Sequence, residues 1–240
     1  MLFDFAGYSS DSLAVAASRY NWINQMTKIL CFGDSNTWGY QANSGKRFTQ
    51  DQRWPGVLAK LIGKQAQVVE NGLPGRTTYL NAIEFGFRSG IDDLLAELRQ
   101  QRPDWLIIML GTNDLFPAFG LSAKQVAANL EKMLKELTEH CAQQQLKQPK
   151  ILILAPLAIN QSGSFAELFR GAEHHSQDLS GYYQRLAVEL NCEYLDVAKH
   201  VTARLEDGVH LNETQHRALA KALAQKLLDE CDLFSTQQTL

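Results

Sequence analysis

The feature that most constrains this fold is a set of apolar runs that do not alternate. Leu106-Ile107-Ile108-Met109-Leu110 and Ile151-Leu152-Ile153-Leu154 are apolar at every position. A strand with one wet face alternates apolar and polar residues, because successive side chains point to opposite sides. A run without alternation reads as a strand buried on both sides, the condition of a parallel sheet covered by helices. Five strands are predicted, at 28–32, 67–70, 105–110, 150–155 and 193–196.

Helical segments fall between them. The first two are predicted at 54–62 and at 91–99, the latter ending before the Arg102-Pro103 break. Over 122–140, Val126, Leu130, Met133, Leu134 and Leu137 keep to one face. Leu179, Tyr182, Leu186 and Leu190 mark a further helix. Asn212 and Gln215 form a capping-box pattern before a last helix that turns Leu219, Leu223 and Leu227 inward. The alternation of strand and helix predicts an α/β fold, a doubly wound three-layer α/β/α sandwich.

At 240 residues and 45% hydrophobic, the chain is long enough for one large domain, assigned here to 26–240. Residues 1–25 read as an N-terminal extension: Arg19 is their only cation, and no apolar stretch leads to a small-residue cleavage site. A short docking helix is the alternative, with Leu13, Ala16, Ala17 and Tyr20 on one face. No apolar run is long enough to span a membrane, and a net charge of -3 without a basic block argues against nucleic acid. Cys31, Cys141, Cys192 and Cys231 match no zinc or redox spacing. They read as buried free thiols in a reducing compartment, hence a cytoplasmic protein. Loops at 41–52 and 160–180 are long enough to shape a site mouth or the interface of a homo-oligomer.

In open parallel sheets, ligands bind at the carboxyl ends of the strands. Four short loops are predicted there, rich in glycine and small polar residues. They are Gly33-Asp34-Ser35-Asn36-Thr37, Asn71-Gly72-Leu73-Pro74-Gly75-Arg76, Gly111-Thr112-Asn113-Asp114 and Asp207-Gly208-Val209-His210. Singly, each has an ordinary explanation: Ser35 a helix cap, Asp34 a structural acid, Asn113 a turn residue, Asp207-Gly208 a turn dipeptide. Together they hold what a hydrolase needs, namely a nucleophile, a base with an orienting acid, and donors for an oxyanion. His140, His174, His175, His200 and His216 read as solvated and no metal set is formed. No phosphate loop or dinucleotide fingerprint occurs, so no cofactor is expected.

These four blocks, in this order, resemble those of the GDSL/SGNH hydrolase superfamily over residues 28–230. Their flanks, such as Phe32-Gly33-Asp34-Ser35-Asn36-Thr37-Trp38-Gly39, are similar to the bacterial arylesterase and acyltransferase branch. The resemblance implies the SGNH hydrolase fold, with a flavodoxin-like five-stranded parallel sheet. It also implies Ser35 as nucleophile, His210 as base and Asp207 as its orienting acid. The oxyanion donors would be the backbone N–H groups of Ser35 and Gly75 and the side-chain amide of Asn113. One departure is Asn36, where the commonest motif has leucine; it is expected to affect the pocket, not the chemistry. Trp38, Tyr40, Arg76, Phe116 and Val209 are expected to line a small acyl or alcohol pocket. The implied activity is hydrolysis of short acetyl or aryl esters, with acyl transfer to alcohols as an extension. Action on acetylated sugars, thioesters or lysophospholipids is the alternative, and a non-catalytic binding module on the same fold the remote one.

Overall fold

The structure, a computed structural model, describes residues 26–160, 163–165, 167–201 and 206–230. The 1–25 segment and Cys231 lie outside the described residues. Five parallel strands form the sheet: β1 (Thr27–Gly33), β2 (Ala66–Gly72), β3 (Trp105–Met109), β4 (Lys150–Ala155) and β5 (Glu193–Asp196), in the order β2-β1-β3-β4-β5. Six helices connect them: α1 (Ser35–Trp38), α2 (Trp54–Ile62), α3 (Ile91–Gln101), α4 (Ala123–Gln143), α5 (Glu173–Glu189) and α6 (Glu213–Glu230). A two-residue parallel ladder, Arg76–Thr77 with Arg88–Ser89, had no counterpart in the sequence reading.

The non-alternating runs are explained by two cores, one on each face of the sheet. Leu30, Phe32, Leu106, Ile108, Ile151 and Ile153 point to the face covered by α3, α4 and α5. Ile29, Cys31, Ile107, Met109, Leu152 and Leu154 point to the face covered by α2 and α6. The edge strands β2 and β5 are only half-buried along most of their length. On α5 the inward aromatic is Tyr183, fully buried, with its hydroxyl on the Leu110 carbonyl at 3.0 Å. Tyr182, assigned to that face from the sequence, is only partly buried.

The capping pattern expected before the last helix is present. Asn212 and Gln215 exchange side-chain-to-backbone bonds of 2.8 and 3.0 Å at the start of α6. Cys31 and Cys141 are buried free thiols, and Cys192 is a free thiol only partly buried.

His216 corrects the expectation of a solvated histidine. It sits on the inner face of α6 and is 0% exposed. Its Nδ1 accepts the Trp54 backbone N–H at 3.3 Å, one of the first-turn donors of α2 that has no partner within the helix. Burial, with smaller contributions from the neighbouring His210 and Arg53, pushes its pKa down to about 3. The folded state therefore holds this imidazole neutral where an unfolded chain takes up a proton. Stability from this group is complete above pH about 6.5 and is lost as pH falls toward about 3. Buried Asp34 and Asp114, both pushed up to about 6 by burial, act with the opposite sign over part of that window. The test is thus comparative. In His216→Gln, the stability relative to the wild type rises by about 1.4 kcal/mol for each pH unit below about 6.5, read from urea unfolding at several pH values. A difference that does not change with pH would show that His216 is not held neutral.

Candidate active site

Helix α1 begins directly at the end of β1, so Ser35 stands at the carboxyl edge of the sheet, between β2 and β3. Asp34 caps the helix: its side chain accepts the Asn36 N–H at 2.9 Å. His210 arrives from the loop before α6, 175 residues away, and its Nε2 lies 2.9 Å from Ser35 Oγ. Its Nδ1 lies 2.6 Å from Asp207 Oδ2, while Asp207 Oδ1 accepts the N–H groups of Val209 and His210 at 3.0 and 2.8 Å. Burial alone raises the Asp207 carboxyl, but these bonds from His210 and Val209 hold it below its ordinary pKa. An ionised Asp207 fixes the tautomer with hydrogen on Nδ1, which leaves Nε2 free to accept the serine proton.

Aromatic rings fix the plane of the imidazole. Tyr40 lies over it with centroids 4.3 Å apart, and Phe165 meets it edge-on at 4.9 Å. The Phe165 segment lies close against the Asp207 turn, with the Phe165 N–H on the Asp207 carbonyl at 3.0 Å. Gly163 makes this approach feasible: it has φ +103°, and a Cβ there would sit 2.3 Å from Asp207 backbone atoms.

Gly75 and Asn113 face the same space from the loops after β2 and β3. Gly75 has φ +75°, and a Cβ there would lie 2.0 Å from the Gly86 carbonyl oxygen. Asn113 Nδ2 donates to the Arg76 carbonyl at 2.9 Å, so one amide hydrogen anchors the side chain and the second remains for a ligand. Asp114 ties the two loops together by accepting the Thr78 N–H and hydroxyl. Ser35, Gly75, Asn113 and His210 open on one cleft of about 190 Å³.

With this geometry in hand, comparison with known proteins decides the lineage. The model of the GDSL-like lipase/acylhydrolase family matches residues 31–218. The chain belongs to that family. Among solved structures, the native aryl esterase of M. smegmatis aligns with a TM-score of 0.79 at 29% identity, covering 85% of this chain and 100% of that one. A carbohydrate acetylesterase from Sinorhizobium meliloti aligns with a TM-score of 0.79 at 29% identity, covering 85% and 99%. An acetylxylan esterase from Xylanibacter ruminicola is 25% identical over 228 residues, 85% of this chain. The chain spans only 45% of that protein's length. The fold is the SGNH hydrolase fold of these structural neighbours.

Within this family member, two of the residues expected to line the pocket, Tyr40 and Val209, do so. Three do not. Arg76 is 2% exposed and turned beneath the site: it donates to the carbonyls of Gly33 and Asn71 and pairs with Asp93, pinning the ends of β1 and β2 to the first turn of α3. Trp38 lies outside the cleft, under the Arg47 guanidinium at 5.4 Å. Phe116 is a second layer, packed behind Phe85 and Phe87 at 5.1 and 4.8 Å. The cleft wall is made instead by Phe85, Phe87, Phe165, Leu168 and Phe169. Their segments carry no periodic pattern, and the Phe85-Gly86-Phe87 triplet was the one local signal. Asn36 also departs from expectation, since it does not line the cleft and bonds instead to the backbone on both sides of His210.

Larger grooves lie away from Ser35, one of about 680 Å³ against the outer surface of α4 and one of about 740 Å³ between the edge strand β5 and α6. Among the described residues no group of histidines, cysteines and acids has the spacing of a metal site, and no helix is long and apolar enough to cross a membrane.

Proposed function

We propose that this protein is a serine carboxylesterase that cleaves short acyl esters through an acyl-enzyme on Ser35. The observation that carries this reading is the Asp207–His210–Ser35 relay opening on a small apolar cleft that Gly75 and Asn113 also line. Ser35 Oγ attacks the ester carbonyl while its proton passes to His210 Nε2. The carbonyl oxygen takes the negative charge and is met by the N–H groups of Ser35 and Gly75 and by the Asn113 amide. Collapse of this intermediate breaks the ester C–O bond, and His210 returns the proton to the departing alcohol. Water then attacks the acyl-serine, giving its proton to His210. The carboxylic acid leaves and Ser35 is reprotonated.

The aromatic wall sets the substrate. Phe85, Phe87 and Phe169 close the cleft at about 190 Å³, which suits an acetyl or butyryl group and not a long chain. Kinetics on p-nitrophenyl esters of increasing length test this. Acetate and butyrate react fastest, and palmitate is slower by roughly tenfold or more in kcat/KM. Fastest cleavage of the longest chain would remove the small-cleft reading. Acetylated xylosides and acyl-CoA in the same series separate simple esters from the sugar esters that the acetylesterase relatives suggest. Acyl transfer to alcohols belongs to this reading, since an apolar cleft limits water at the acyl-enzyme. So does a cytoplasmic homo-oligomer, supported by the three free thiols and by exposed Phe85 and Ile83 beside the cleft.

A further inference from the structure

Asn36 follows the proposed nucleophile, at the position where the family's commonest motif has leucine. Its side chain bridges to the loop of the proposed base. Nδ2 donates to the Val209 carbonyl at 3.2 Å, and Oδ1 accepts the Leu211 N–H at 2.9 Å. Those two backbone groups flank His210. A single orientation of the carboxamide satisfies both, since the carbonyl requires a donor and the N–H an acceptor. Asn36, Val209 and Leu211 are all buried, so water does not stand ready to replace either bond.

Among the described residues, the hydrogen bonds joining α1 to the 207–211 segment are these two and the Ser35–His210 contact itself. Asp207 fixes the ring nitrogen, and Tyr40 and Phe165 fix the ring plane. Asn36 instead fixes the main chain that carries the ring against the helix that carries the serine. Leucine makes neither bond.

We propose that Asn36 is a positioning residue that holds His210 in register with Ser35 by gripping the backbone on both sides of it. The inference rests on the reading of Ser35 and His210 as nucleophile and base. The Asn36 side chain does not line the cleft and makes no hydrogen bond to Gly75 or Asn113, so its loss falls on the chemical step and not on ester binding.

The test uses Asn36→Leu and Asn36→Ser, each confirmed folded by circular dichroism, with p-nitrophenyl butyrate as substrate. Serine is too short to reach both backbone groups, and it decides the matter if the leucine variant does not fold. We expect kcat to fall roughly 10–100-fold with KM changed by less than about twofold, as for a reacting group displaced by a fraction of an ångström. Added to His210→Ala, either substitution changes the residual rate by less than about twofold, because the group through which Asn36 acts is gone. A folded variant with wild-type kcat, or the same loss in the His210→Ala background, overturns the role of Asn36 and leaves the triad reading intact. Full activity in His210→Ala alone overturns both.

Discussion

Replacing Ser35 by alanine lowers kcat on p-nitrophenyl acetate by roughly 10⁴–10⁶ and abolishes labelling by a fluorophosphonate. The size follows from the geometry. Ser35 Oγ is the group within 2.9 Å of His210 Nε2, and removing it leaves the base with nothing to activate except water. The alanine variant remains folded, since Asp34 still caps α1 through the Asn36 N–H and the apolar cores are untouched. Some acceleration over bulk water persists from the oxyanion donors and the cleft. Mass spectrometry of the labelled wild-type protein is the direct check, and phosphonate on any other residue, or on none, ends the serine-esterase reading.

Asn113→Ala lowers kcat by roughly 10²–10³, the usual cost of one oxyanion donor, while phosphonate still reaches Ser35, only more slowly. The stability cost is separate. The substitution strips the buried Arg76 carbonyl of its 2.9 Å partner, worth about 1–3 kcal/mol, or roughly 2–12 °C in Tm for a protein of this length. Activity and melting temperature measured on the same sample separate the two effects. A variant with unchanged kcat would show that Asn113 is only the anchor of the Gly75 loop.

The sheet and its helices were legible because burial on both faces leaves a signature that no surface strand carries. Four loops could be placed at one edge from that alone, and the structure brings Ser35, His210 and Asp207 into hydrogen-bond contact there. What was not legible depends on contacts between distant segments. Arg76 adjoins Gly75 and reads as substrate-facing, yet its donors match carbonyls of strands that meet only in the fold. Phe85, Phe165 and Phe169 come from irregular chain, where no periodicity says which side faces inward. His216 was legible in principle, since 216, 219, 220 and 223 share one helical face. Asn36 departs from the commonest motif and from the sequence reads as shaping the pocket, because its two bonds go to a loop near the other end of the chain.

That separation has a consequence for when the protein becomes active. The proposed nucleophile, Ser35, belongs to the first strand's exit and the proposed base, His210, to the threshold of the last described helix. Four of the five strands lie between them in sequence, and nothing local can stand in for the meeting of the two. A chain in which β1 to β4 have formed, but α6 has not yet settled on the sheet, carries a serine with no base beside it. On the proposed roles, activity requires the 207–211 segment to be seated beside α1, and a chain lacking that contact does not turn over esters through Ser35.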